Sequence, residues 1–242
     1  MISVVLPVFN RIGSITACIG QLLDCPEVCE VLVADGGSTD GTVAAIEALD
    51  DPRVTIVSRR DSGIYDAANK AIAKAKGPLL WFMNSDDLAS PAYAAEAVRV
   101  LAQAPEIDFV FGNILYGATL VRPRLLRQRH EVWQTMPFPH VSLIIRTQVH
   151  ARKLGGYETA RAIGGDLDYL NRLLKLGLRN AYIDMPAATC APGGVSTTHK
   201  QIWEARKMAI KHRKNRLAAT AFTIAVLCLR VVKSRSIDRL SS

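Results

Sequence analysis

The order of apolar and polar residues predicts an α/β fold built on a mostly parallel central sheet. Three observations carry the prediction. Short runs of β-branched and apolar residues recur, amphipathic stretches separate them, and each run closes in polar residues or glycine.

The elements follow in order. "ISVVLPVF" reads as a first strand rather than a signal peptide, because it lacks a basic n-region and a long apolar h-region. "GSITACIGQLL" follows with Ile15, Ile19 and Leu22 at helical spacing. "CEVLVADGG" is a second strand ending in glycines, and "STDGTVAAIEAL" opens with capping residues and continues as a helix. "RVTIVSR" is a third strand, "GIYDAANKAIAKA" a helix and "PLLWFMN" a fourth strand. "SPAYAAEAVRVLAQA" is a helix with proline near its start, and "DFVFGNILY" is another strand. Beyond it the pattern loosens. "RPRLLRQR" is a basic surface segment, "HVSLIIRT" a strand, "GDLDYLNRLLKLG" a helix with a glycine stop, and "APGGVSTTHK" a loop. Strands alternating with helices imply βαβ units, and ligands of such sheets bind beyond the carboxyl ends of the strands. Asn10, Asp35 with its two glycines, and Asn84 to Asp87 all fall there.

Composition narrows the function classes. The chain has 242 residues, enough for one sizeable domain with an appendage, and 49% of them are hydrophobic. Five cysteines without C-x-x-C spacing argue against a zinc site or a disulfide framework and fit a reducing cytoplasm. The net charge of +8 is localised: residues 199–242 hold eleven Lys/Arg against Glu204 and Asp238, whereas the first 198 residues are close to neutral. A nucleic-acid reader spreads a basic face over its fold, so no nucleic-acid partner is expected.

Four stretches carry chemistry. In "VADGGSTDGT", Asp35 stands at a strand end before glycines and a helix start, a place suited to close approach and to an anion. It departs from G-x-G-x-x-G, and alone it also reads as an ordinary βα turn with a capping Asp. In "DSGIYDAANKAI", Gly63 opens a segment that brings Tyr65, Asp66, Asn69 and Lys70 toward one rim; alone, it also reads as a capped helix. "NSDD" places Asp86 and Asp87 side by side after a buried run. Adjacent carboxylates raise one another's pKa unless a positive charge intervenes, and a hard divalent ion would supply one; a solvated acidic loop is the plainer reading. In "GGDLDYLNRLL", Asp166 falls at a helix start, and Asp168, two residues on, faces another way in a structural or positioning role.

Together "LPVFN", "ADGGSTDGT", "GIYDAANKAI", "NSDD" and "GDLDYLNRL" resemble, in order and spacing, the inverting GT-A-type family 2 glycosyltransferases of the bacterial surface-polysaccharide branch. The resemblance covers about residues 1 to 200. It implies a Rossmann-like nucleotide-sugar-binding fold and a metal-dependent transferase that uses Mn²⁺ or Mg²⁺. The implied donor is a UDP- or GDP-sugar, bound by Pro7, Asp35, Gly63, Asn69, Lys70 and Asp86. Pro7 and Asp35 match positions bordering the nucleotide base. Asp86 matches the acid near ribose and metal, Asp87 the metal-binding acid, and Asp166 the catalytic base. His199 is the candidate late metal ligand, and His140 matches a histidine near the acceptor side. The sequence departs from the family at Gly165, which replaces the Glu of a Glu-Asp pair, and at Asn84, which replaces an Asp common in relatives. The implied acceptor is a glycan or a polyprenyl-diphosphate-linked sugar, in capsule, exopolysaccharide or O-antigen synthesis. A nucleotide-sugar-binding protein without transferase activity and a nucleotidyltransferase are the competing readings.

The expected organisation is a catalytic domain over residues 1–200 and a basic, partly apolar helical tail over 201–242. Within the tail "LAATAFTIAVLCL" has thirteen uncharged residues between Arg216 and Arg230, short of the ~20 that span a bilayer. Flanked by "KHRKNR" and "RVVKSR", it suits an amphipathic helix lying on the inner face of the cytoplasmic membrane. A terminal helix packed on the domain is the alternative.

Overall fold

The computed structural model describes residues 1–58, 63–124, 136–159 and 164–190. The first half follows the expected alternation: β1 (Ile2–Val8), α1 (Ile15–Leu23), β2 (Val28–Asp35), α2 (Thr42–Glu47), β3 (Val54–Ser58), α3 (Ile64–Ile72) and β4 (Leu79–Phe82). Then come β5 (Leu88–Ala89), α4 (Pro91–Gln103), β6 (Phe109–Tyr116) and β7 (Thr119–Val121). A 3-10 turn, His140–Ser142, leads into β8 (Ile144–Arg146) and α5 (Thr147–Val149). A π-helical turn, His150–Leu154, precedes α6 (Gly165–Lys175) and β9 (Asn180–Cys190).

Among the described residues one sheet runs β3-β2-β1-β4-β8-β6-β9-β5, with β7 beside β6. The pairs β1–β2, β1–β4, β2–β3 and β6–β9 are parallel, and β8 is antiparallel to both β4 and β6. Six strands therefore share one direction, and β5, β7 and β8 oppose it. Because β8 opposes β4, the start of β8 lies at the carboxyl end of β4, and the turn carrying His140 reaches the ligand edge.

Alternation along the strands builds a core on each face. Ile2, Val4, Leu6 and Val8 of β1 join Trp81, α1 and α4 on one side, whereas Leu80 and Phe82 of β4 join α3 and α6 on the other. Ser90 caps α4, accepting from Tyr93 N–H at 3.3 Å, with Pro91 in the first helical position. Two buried side chains then fix the 3-10 turn: Trp81 Nε1 donates to Val141 O at 2.8 Å and Tyr93 Oη to Ser142 O at 2.5 Å. Each such bond contributes about 1 kcal/mol net, and losing one partner costs more because the carbonyl stays buried.

Several elements differ from the expectation. "HVSLIIRT" is extended only at Ile144–Arg146, because its first three residues form the 3-10 turn. β5, β7 and β9 add strands that the pattern did not announce. β9 carries Asp184 and Pro186, and its pairing with β6 shifts register on both sides of Asn113. Proline and irregular register both blur a period-two signal. Most of the basic segment 122–129, the loop 191–200 and the tail lie outside the described residues.

Candidate functional site

At the carboxyl ends of β1 and β2, two loops are stitched together. Asn10 holds a left-handed conformation (φ 51°), and its Oδ1 accepts from Thr39 N–H at 2.9 Å. Its own N–H donates to Ser38 Oγ at 2.8 Å, and Arg11 N–H to Thr42 Oγ1 at 2.8 Å. Pro7 pairs in register with Ala34, immediately before Asp35. Asp35 is 1% exposed, and its carboxylate accepts from the N–H groups of Gly37 (2.9 Å) and Ser38 (3.0 Å). Gly37, at φ 89°, supplies the turn that folds those donors back. The Asp35 carboxylate thus shapes its own loop, while Phe9 beside Gly36 is 57% exposed.

The acidic turn follows β4. Asp87 N–H donates to Asn84 O at 3.3 Å, and Asn84 Nδ2 donates to Asp87 Oδ2 at 2.8 Å. Asn84 thereby offsets Asp87 with a dipole rather than adding a third charge to the turn. Asp87 is 3% exposed; Asp86 is half-buried, with Arg11 Nε 3.9 Å from its Oδ2. Ser14 Oγ donates to Ser85 O at 3.0 Å, and β5 pairs with β9, so the turn is clamped on two sides. Burial, followed by the charges of Asp87 and Asp86, pushes the Cys18 thiol up to about 12. Cys190 is also raised, by burial first, then by the charge of Asp87, a hydrogen bond with its carboxylate, and the charge of Asp86. Both thiols are therefore neutral at physiological pH and add no charge to the turn.

No group of three or more His, Cys, Asp or Glu suited to a metal occurs among the described residues. Asp86 and Asp87 nonetheless fit a Mg²⁺- or Mn²⁺-type ion, which takes one or two carboxylates and fills its shell with water and substrate phosphate. His199 lies outside the described residues.

Asp166 occupies the first turn of α6, after Gly164 at φ 82°. Its Oδ1 accepts from Leu167 N–H at 2.8 Å and lies 3.5 Å from Tyr65 Oη on α3. Asp168 is fully buried and pairs with Arg172 Nε at 2.9 Å. Arg172 also donates to Leu154 O and Gly156 O, each at 2.6 Å. On α3, Gly63 (φ 128°) starts the helix and Lys70 pairs with Asp66 at 2.8 Å. Asn69 brackets the main chain of Tyr157: Nδ2 donates to its O at 2.9 Å, and Oδ1 accepts its N–H at 2.7 Å. The structure thus brings Tyr65, Asn69 and Asp166 to one wall, and places Pro7 and Asp35 at the carboxyl ends of the paired strands β1 and β2 and Asp86 in the turn after β4.

Between them lies an aromatic cluster that sequence reasoning missed. Phe82, four residues before Asp86, packs against Tyr169 (5.6 Å), Tyr157 (5.7 Å) and His140 (5.3 Å). Tyr157 stacks on both Tyr169 (4.7 Å) and Tyr65 (5.4 Å), and its hydroxyl lies 2.7 Å from His140 Nε2. Burial lowers the His140 pKa, partly opposed by the charge of Asp166. These residues come from separate segments, so no local spacing marks them.

His150 gives the cluster a pH dependence. Its Nδ1 lies 2.6 Å from Tyr169 Oη, and burial with the Arg172 charge lowers its pKa to about 4. The unfolded chain binds that proton near pH 6.5 and the folded chain does not, so stability falls as pH drops from about 6.5 toward 4. The loss is roughly 2–3 kcal/mol. Urea titrations of the parent and of His150→Phe across this range check it; equal pH slopes would contradict the assignment.

Comparison with known proteins fits this geometry. Residues 3–159 match the family described as Glycosyl transferase family 2. An uncharacterized glycosyltransferase of Mycobacterium tuberculosis is 32% identical over 148 residues, covering 59% of this chain and 56% of its own, so the chain spans about half of that relative's length. Staphylococcus aureus TarS in complex with UDP-GlcNAc superposes with a TM-score of 0.70 at 18% identity, over 90% of this chain and 69% of its own. A mannosyltransferase of Pyrobaculum calidifontis, in complex with GDP-Man and Mn²⁺, gives 0.63 at 22% identity, over 92% and 69%. The fold is the GT-A, Rossmann-like one, and the chain belongs to glycosyl transferase family 2.

Proposed function

We propose that the protein is a metal-dependent inverting glycosyltransferase that moves a sugar from a UDP- or GDP-sugar to an acceptor hydroxyl. The observation that carries this reading is the packing of Phe82 on Tyr169. It ties the strand leading to Asp86 and Asp87 to the helix whose first turn carries Asp166. The complexes of TarS with UDP-GlcNAc and of the Pyrobaculum enzyme with GDP-Man and Mn²⁺ support the donor class. Family membership favours transfer over a nucleotidyltransferase reading.

Asp86 and Asp87 would hold the divalent ion, which supplies charge neutralisation for the departing nucleoside diphosphate. Asp35 and Pro7 border the base, and Gly63, Asn69 and Lys70 form the facing rim of the donor site. Asp166 takes the proton of the acceptor hydroxyl as that oxygen bonds to the anomeric carbon. The carbon–oxygen bond to the diphosphate breaks in the same displacement, so the configuration inverts. Leu167 N–H orients the carboxylate, and such positioning carries much of the rate for a weak base. Equilibrium binding of UDP-GlcNAc, UDP-glucose and GDP-Man with Mn²⁺ tests the donor assignment. One nucleotide class is expected to bind and to be released by chelator; no binding of any of them would refute it.

The proposed acceptor is a lipid-linked glycan, approached by a catalytic domain of residues 1–200 whose basic tail rests on the inner membrane face. The thirteen uncharged residues between basic clusters support this, and no described helix is long and apolar enough to cross a membrane. Deleting residues 201–242 is expected to move the protein from the membrane to the supernatant fraction. An unchanged distribution would count against the tail as an anchor.

A further inference from the structure

We infer that Tyr65 is a positioning residue for Asp166, and that position 165 is glycine because the Tyr65 ring occupies the space beside it. This deepens the proposed function and rests on Asp166 acting as the base.

Three observations support it. A Cβ built at Gly165 would lie 2.7 Å from Cε2 and Cζ of Tyr65 and 2.8 Å from Cδ2, closer than packed atoms approach. Gly165 therefore lets the ring lie flush against the start of α6. That ring carries its hydroxyl to 3.5 Å from Asp166 Oδ1, a long hydrogen bond to the oxygen already held by Leu167 N–H. The ring's other support is Tyr157, stacked at 5.4 Å and itself bracketed by Asn69 and joined to His140. Tyr65 is thus seated between a glycine and an anchored ring, with its hydroxyl beside the backbone amides that open α6 and 3.5 Å from the carboxylate.

The consequence is a division of labour within one carboxyl group. Oδ1 accepts both donors, and Oδ2 accepts no hydrogen bond among the described residues. Oδ2 is then the atom that takes the acceptor's proton. The hydroxyl fixes the plane of the carboxylate without exchanging a proton in the step, because burial and the Asp166 charge hold the phenol well above its ordinary pKa.

The test uses the full chain and Mn²⁺-dependent hydrolysis of UDP-GlcNAc, UDP-glucose and GDP-Man, in which water replaces the acceptor. Tyr65→Phe keeps the ring and removes the hydroxyl. It is expected to lower kcat about tenfold, the effect of losing one hydrogen bond to a charged group, while the donor KM and the melting temperature hold. Placed on Asp166→Asn, the same change is expected to add no further loss, since both act on one group. A higher KM with kcat unchanged, or full additivity, overturns the inference. If Asp166→Asn itself keeps the parent kcat, it is the base assignment that fails. Independently of turnover, Gly165→Ala is expected to lower the melting temperature by several degrees in the Tyr65 protein and much less in Tyr65→Ala. An equal drop in both backgrounds overturns the ring contact.

Discussion

On the proposed mechanism, Asp166→Asn is expected to cut sugar transfer by roughly 10²–10⁴-fold, the usual contribution of a positioned base, and to leave donor binding in place. The amide matches the carboxylate in shape, and its oxygen still accepts from Leu167 N–H and from Tyr65, so the first turn of α6 is expected to keep its form. What disappears is the function that the proposed mechanism assigns to the charge: receiving the acceptor's proton. The expected signature is a fall in kcat with an unchanged dissociation constant for the nucleotide sugar. It is read by single-turnover transfer alongside calorimetric titration of the donor. Parental turnover in this variant would remove Asp166 from the mechanism.

On the proposed metal assignment, Asp87→Ala is expected to give the second large effect, a loss of Mn²⁺-supported donor affinity of roughly 10²–10³-fold, reflecting the several kcal/mol that a bound cation would contribute at a diphosphate. Asp87 is nearly fully buried and held by Asn84, so it presents a fixed oxygen rather than a mobile one. Chelator treatment of the parent is expected to reproduce the loss, and chelator added to Asp87→Ala to change little further, because both remove the same interaction. Mn²⁺ dependence that survives in Asp87→Ala would place the ion elsewhere. A thermal melt of each variant separates this from unfolding.

The first half of the fold was legible in the sequence because its physics is local. β1 through β4 each read as an apolar run closed by polar residues, and parallel strands buried on both faces leave that mark. The acidic turn was legible for the same reason: "LLWFM" has to be inside, and "NSDD" follows at its carboxyl end. Less could be read where contacts are distant in sequence. Tyr65 meets Asp166 across 101 positions, and Asn69 meets Tyr157 across 88. Neither pair leaves a spacing that a single sequence displays. Gly165 was visible as a departure from the family, but its reason lies on another helix. β9 was hidden by Pro186 and by a register that slips twice.

The segment from Leu154 to Tyr157 has a consequence for motion. Arg172 of α6 grips its carbonyls at Leu154 and Gly156, while Asn69 of α3 holds both main-chain groups of Tyr157. A strap fastened to two helices cannot lift from one without slackening on the other. Thermal opening of this wall is therefore an all-or-none release of α3, the strap and α6 together, with a free energy nearer to global unfolding than to loop fraying. Whatever enters beside Asp166 meets a preassembled wall, and mobility needed to admit a substrate has to come from segments other than this strap.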